Sequence, residues 1–207
     1  PLPSEIVFLE KYYPHSMVWA RSLYSKSEDS LMRGTTSVAH DFSDPTSVLL
    51  WDNIMQESPY SFRNYALQKL LKLAKADDSI LEIGCGGGIA IEQLLLSSTK
   101  SIRIVGIDPS LEYLKLARKR VDNLKKSSNP MVAANASRVV LSIFNPYEGL
   151  NFKEKFNFVF MSLVLNHISV SERPKLFEAI RSLLVQNGAL VIYQIVHLEK
   201  LSRARFG

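Results

Sequence analysis

Glycines at positions 84, 86, 87 and 88 follow directly on an apolar run, within the segment ILEIGCGGG over 80–88. Glycine lets the main chain approach a bound group closely, and a helix that starts there aims its first N–H groups at the same point. Such a loop can cradle a nucleotide-like ligand. Asp108 ends the next apolar run, 24 residues after Gly84, at a place where a carboxylate can accept hydrogen bonds from both hydroxyls of a ribose. Farther along, Asn145 offers an amide carbonyl as acceptor. His167 offers an imidazole that, when neutral, can take a proton from an attacking hydroxyl or amine. Each of these residues alone also fits a plain structural role: a tight turn, an Asp opening a turn before proline, a hydrogen-bonding loop histidine.

The elements that must position these residues alternate from position 79 onward. Strands are predicted at SILEIG (79–84), RIVGID (103–108), RVVLSIF (138–144), FNFVFM (156–161) and ALVIYQI (189–195), with helices over about 88–97, 110–126 and 171–185. In the last helix Ser171 is the expected cap, Pro174 sits in the first turn, Leu176, Ile180 and Leu183 form the buried stripe, and Asn187-Gly188 stops the helix. Short apolar strands of this kind suit a parallel sheet covered on both faces. The expected fold is therefore α/β, a doubly wound Rossmann-like sheet with its ligand at the carboxyl ends of the strands. Upstream, a helix over 61–76 places Leu67, Leu70, Leu71 and Ala74 on one face, with Ser61 as its cap. Residues 8–24 and 48–55 read as shorter helices, separated by a polar segment over 25–47 that lacks an apolar period. This divides the chain into an N-terminal helical segment, 1–77, and a ligand-binding domain, 78–207.

The spacing Glu82-x-Gly84-x-Gly86-x-Gly88 resembles the first motif of the class I S-adenosylmethionine-dependent methyltransferases, an acidic residue and a spacer before Gly-x-Gly-x-Gly. A nicotinamide-binding loop phased from Gly84 would need glycine at 89, where the chain has Ile89, and it leaves Glu82 unexplained. The segment GIDPS, with Asp108, Pro109 and Ser110, is similar to the family's second motif. The third motif closes the third strand with an Asp that binds the adenine amino group, about eleven residues before a Phe-Asp pair. Here those positions hold Asn145 and Phe156-Asn157, so both aspartates are replaced by asparagine. An Asn carbonyl still accepts from an amine, with Phe144 or Pro146 packing on the adenine face. MSLVLNHI (161–168) matches the family segment that passes beneath the methionine part of the cofactor, which makes Met161 and Ser162 contact candidates alongside Cys85 of the loop.

The resemblance implies S-adenosyl-L-methionine as cofactor and methyl transfer to an O, N or C nucleophile of a small molecule. His167 is the candidate base, although an activated sulfonium reacts by in-line positioning without one. In related small-molecule enzymes an N-terminal helical segment lids the site, so Trp51, Tyr60, Phe62 and Tyr65 are candidate substrate-pocket residues. Methylation of RNA or protein is the runner-up. A methyltransferase-like binding or assembly protein without activity is the alternative from another class, suggested by the two Asn-for-Asp positions. The family sheet has seven strands, the last two antiparallel, whereas only HLEKLSRARFG follows Ile195. The expectation is a truncated chain, for which residue 1 being Pro also speaks, or else a fifth strand covered by a partner copy in a homo-oligomer.

Bulk composition fits this reading. The chain has 207 residues, 46% hydrophobic and 22% charged, enough for one domain with a core. Its single cysteine, Cys85, allows no internal disulfide and no cysteine-based metal site, so no metal is expected and a reducing, cytoplasmic setting is. No run of about 18 apolar residues is present to span a bilayer, and the start carries Glu5 and Glu10 where a signal peptide wants positive charge. The net charge of +5 is spread over several segments. Its densest run, KLARKRVDNLKK over 115–126, reads as the solvated face of a helix, and no nucleic-acid motif accompanies it.

Overall fold

A computed structural model describes residues 43–57, 62–144, 150 and 152–194. In chain order the elements are α1 (Pro45–Glu57), α2 (Phe62–Leu73), β1 (Asp78–Ile83), α3 (Ile89–Ser97), β2 (Ile102–Asp108), α4 (Leu111–Leu124), α5 (Pro130–Ser137), β3 (Val139–Ile143), β4 (Phe156–Ser162), α6 (Arg173–Leu183) and β5 (Leu184–Tyr193), with a 3₁₀ turn at Leu165–His167. The predicted helix over 8–24, Ser61 and the stretch after Gln194 lie outside the described residues.

The strands form one sheet in the order β3-β2-β1-β4-β5, and every pairing is parallel. The fold is the doubly wound α/β sheet expected of the sequence. Because side chains alternate along a strand, the near-continuous apolar runs divide between two layers. Ile80, Ile104, Phe158 and Phe160 pack beneath α2 to α5, with Leu67, Leu70, Leu94 and Leu114. Leu81, Val105, Val159 and Met161 pack on the other face against Leu176, Ile180 and Leu183 of α6, the predicted stripe. Glu82 follows Ile80 by two positions and so points to the α2 side, which decides its surroundings.

Local capping explains where the helices begin. Asp44 accepts from Ser47 N at 2.8 Å, which starts α1 at Pro45, three residues earlier than the sequence reading. A short helix that the sequence reading missed, α5, is capped by Asn129, which accepts from Met131 N at 3.0 Å, with Pro130 in the first turn. Its Asn135 is buried: Oδ1 accepts from Ile102 N at 3.0 Å and Nδ2 donates to Lys100 O at 2.9 Å, which ties α5 to the start of β2.

The last helix and strand differ from expectation at both ends of the helix: α6 is preceded by Glu172 with no side-chain cap, so Ser171 is not its cap. Helix α6 stops at Leu183, before Asn187-Gly188, and β5 begins at once with Leu184 opposite Phe156. Pairing resumes at Ala189 opposite Phe158, so the intervening residues bulge, and Asn187 with φ 65 supplies the left-handed step inside the strand rather than the helix stop. Tertiary pairing of Leu184 with the sheet outcompetes one more helical turn.

Phe160 lies at 0% exposure in the middle of β4. Phe160→Ala should cost about 3–5 kcal/mol of stability, measurable as a lowered urea midpoint with an unchanged slope.

Candidate functional site

The site forms where β1 and β2 end, because their register, with Ile83 opposite Ile107, brings Gly84 beside Asp108. Gly84 N and Cys85 N both donate to Ile107 O, at 2.8 and 3.0 Å. Gly84 has φ 70, and a Cβ there would come within 2.5 Å of Val164 Cγ2, so only glycine fits between the loop and the segment after β4. That segment carries its own backbone outlier, Leu163 at φ 59, held by its N–H donating to Tyr193 O at 2.9 Å.

Asp108 is buried, and each of its oxygens accepts one main-chain N–H: Oδ1 from Ser110 N and Oδ2 from Gly86 N, both at 2.8 Å. Burial raises its pKa, opposed first by these two bonds and then by His167. One lone pair on each oxygen is left to face a ligand. Ser110 also caps α4, its Oγ accepting from Tyr113 N at 3.2 Å.

Glu82 is 1% exposed, and its Oε2 has no hydrogen-bond partner. Burial pushes its carboxyl up to about 8, with Arg63 opposing and Asp108 adding to the rise. Arg63 was not among the predicted site residues. It reaches the site from α2, buried, with Nε donating to Gln93 Oε1 at 3.2 Å and Nη2 to Met55 O at 3.3 Å. A signal was present: Arg63 stands four positions before Leu67, so it lies on the apolar stripe of its helix, where a cation needs a buried partner. Tyr113 is a second addition. It is half-buried beside Gly86, and burial, then Asp108 and Asp52, push its hydroxyl up.

The remaining candidates separate by position. Ser162 is half-buried at the carboxyl end of β4, while Met161 is fully buried in the layer under α6. Phe144 is half-buried, and its N–H donates to Asp108 O at 3.1 Å. Pro109 is exposed, whereas Cys85 is buried and its thiol is pushed up by that burial. Gly88 ends the loop as the residue before α3. His167 is exposed on the 3₁₀ turn after β4. Trp51 is half-buried on α1, and Tyr65 is 62% exposed on α2 with the Lys69 ammonium 5.3 Å from its ring centre. Phe62 opens α2, and Asn145, Pro146 and Tyr60 lie outside the described residues. Asn157 belongs to the opposite end of the sheet: its Oδ1 accepts from Ser79 N at 3.0 Å and Ser79 Oγ at 3.1 Å, joining the starts of β4 and β1. Its replacement of the expected Asp therefore does not touch the site. Among the described residues no group of three His, Cys, Asp or Glu could hold a metal ion, and no helix is long and apolar enough to cross a membrane.

Comparison with known proteins gives a family and a fold. The sequence model of a family described as a methyltransferase domain matches residues 80–188. The mitochondrial ubiquinone biosynthesis O-methyltransferase of Candida albicans is 33% identical over 96 residues, 46% of this chain and 26% of that protein. The matched part thus spans about a quarter of that curated relative. Among solved structures, the glycopeptide N-methyltransferase MtfA complexed with S-adenosyl-L-methionine has a TM-score of 0.50 at 18% identity, covering 62% of this chain and 52% of that one. The DhpI-SAM-HEP complex has a TM-score of 0.56 at 15% identity, covering 84% and 74%. At these identities the structural likeness is one of fold.

The raised carboxyl of Glu82 sets a pH dependence. Folded protein keeps the proton to about pH 8, whereas an unfolded chain releases it near the ordinary value of 4.5, so stability falls as pH rises through that window and levels above it. Glu82→Gln removes this loss. The unfolding free energy of wild type minus that of the variant should decline between about pH 4.5 and about 8; a difference that stays flat would refute the assignment.

Proposed function

We infer function from one premise: this chain belongs to the methyltransferase domain family, whose cofactor is S-adenosylmethionine. The activity read from it is transfer of a methyl group to a nucleophilic atom of a small molecule. The observation that carries the reading is the pair of buried carboxyl groups flanking the glycine loop, Asp108 pre-set by two main-chain N–H groups and Glu82 with an unpartnered oxygen.

These residues fit the two polar ends of the cofactor. Asp108 would accept from the ribose hydroxyls, because its oxygens are already oriented by Gly86 N and Ser110 N. Glu82, once ionised, and Arg63 together offer an anion and a cation, the complement of an amino acid's ammonium and carboxylate. An ammonium beside Glu82 would also return that carboxyl to its charged form. Asn145 remains the candidate acceptor for the adenine amine, and Ser162 a contact at the end of β4. When bound, S-adenosylmethionine supplies a methyl group on a sulfonium already activated toward a nucleophile. The protein's part is then to align the acceptor and exclude water, with His167 the candidate to take the acceptor's proton. A small molecule is the favoured substrate because a relative named as a ubiquinone biosynthesis O-methyltransferase shares the matched segment, and no nucleic-acid motif supports an RNA substrate. A partner copy in a homo-oligomer would cover β5, which is an edge of the sheet among the described residues.

Calorimetry with S-adenosylmethionine tests the reading. Binding is expected, and none at millimolar cofactor would overturn it. Asp108→Ala should weaken binding by about 1.5–3 kcal/mol through loss of charge-assisted hydrogen bonds, and an unchanged affinity would refute the ribose role.

A further inference from the structure

Gly87 has no duty in the cofactor reading. The positive φ angles of the loop fall at Gly84, Gly86 and Gly88, and the Gly-x-Gly-x-Gly pattern skips position 87. Yet a Cβ at Gly87 would lie 2.0 Å from Asp52 Oδ1 and 2.8 Å from Arg120 Nη1. What excludes a side chain there is helix α1, seated on the loop through Asp52.

The seat is an ion pair, Asp52 with Arg120, and three groups bonded to it. Arg120, on α4, has a side chain only 14% exposed, and that of Asp52 is 3% exposed. Arg120 Nη1 donates to Asp52 Oδ1 at 3.0 Å and also to Gly87 O, and Nη2 donates to Asp52 Oδ2. Its Nε lies 3.4 Å from Glu92 Oε2 in the first turn of α3. Gln56 Nε2 completes the shell of Asp52 at 2.8 Å. A guanidinium presents five N–H groups in a rigid plane, so one side chain can fix α1, the loop carbonyl and α3 relative to one another. The glycine turn is thereby held from both sides by charge: the Asp108 carboxylate takes the N–H of Gly86, and the Arg120 cation takes the carbonyl of Gly87. Tyr113 lies beside Gly86, within the field of both Asp108 and Asp52.

We propose that Asp52 and Arg120 form a clamp that holds α1 against the cofactor loop and slows cofactor release, making both positioning residues. The clamp rests on the S-adenosylmethionine reading above. Breaking it leaves the carboxylate of Asp108 in place, so the effect falls on retention of the cofactor rather than on recognition of its ribose.

The test follows release of S-adenosylhomocysteine by stopped flow, with calorimetric stoichiometry, in the full chain. Arg120→Ala and Asp52→Ala should each speed release about tenfold at unchanged stoichiometry, and Arg120→Lys, which keeps the charge, should fall between. A variant that merely unfolds would lower stoichiometry instead. Gly87→Ala should speed release as much as Asp52→Ala, because the new methyl expels Asp52. In the Asp52→Ala background it should add less than about twofold, since the clash is gone and the end of Arg120 can move. Release unchanged in Arg120→Ala and Arg120→Lys, or effects of Gly87→Ala and Asp52→Ala that multiply, would overturn the clamp alone. Absence of any binding by the wild type would overturn the cofactor reading and the clamp with it.

Discussion

The carboxylate of Asp108, buried where β2 ends, accepts one N–H from the glycine loop and one from the first residues before α4. A buried charge is costly unless hydrogen-bonded, and a buried N–H without an acceptor is costly too, so each group satisfies the other. This is the joint on which the site depends. It exists because β1 and β2 pair in a register that sets Ile83 opposite Ile107, after which Gly84 N and Cys85 N close on Ile107 O. A slip of one residue would exchange the two faces of β2 and carry Asp108 away from the loop. The register in turn is held by the two apolar layers, so packing far below the site decides the aim of its carboxylate.

Around this joint the protein buries further ionisable side chains. Glu82 faces Arg63 from α2, and Asp52 of α1 is fork-bonded to Arg120 of α4. Such groups add little to stability compared with well-packed apolar residues, and removing one partner leaves the other exposed to the full desolvation penalty. They sit where β1 and β2 end, while the middle of each strand stays apolar. The strain at Leu163 belongs to the same pattern: a left-handed leucine is tolerated because its N–H is fixed by Tyr193 O and the next residue, Val164, packs against Gly84.

Much of this was legible in the sequence. Strand positions, the α2 stripe, the α6 stripe and the glycine phasing were each readable because side-chain periods and turn chemistry act within a few residues. Asp108 was readable for the same reason, as the acidic end of the second apolar run. Boundaries failed where tertiary pairing competes with a local signal, as at Leu184, whose pairing with Phe156 ends α6 before Asn187-Gly188 can. The helix α5 was passed over even though Asn129-Pro130 is a sound helix start, because eight residues hold too few apolar positions to show a period.

By itself the sequence determined the alternating α/β order, the glycine loop that ends β1, and the family to which the chain belongs, since these rest on neighbours along the chain. Only the tertiary structure decided which charges meet. Arg63 bonds Gln93 across 30 positions and Arg120 bonds Asp52 across 68. Asn157 turned out to brace the far end of the sheet through Ser79, 78 positions away, rather than the site. A single sequence carries no local trace of such pairs, because they are created when the helices dock on the strands and the desolvation of each charge selects its partner.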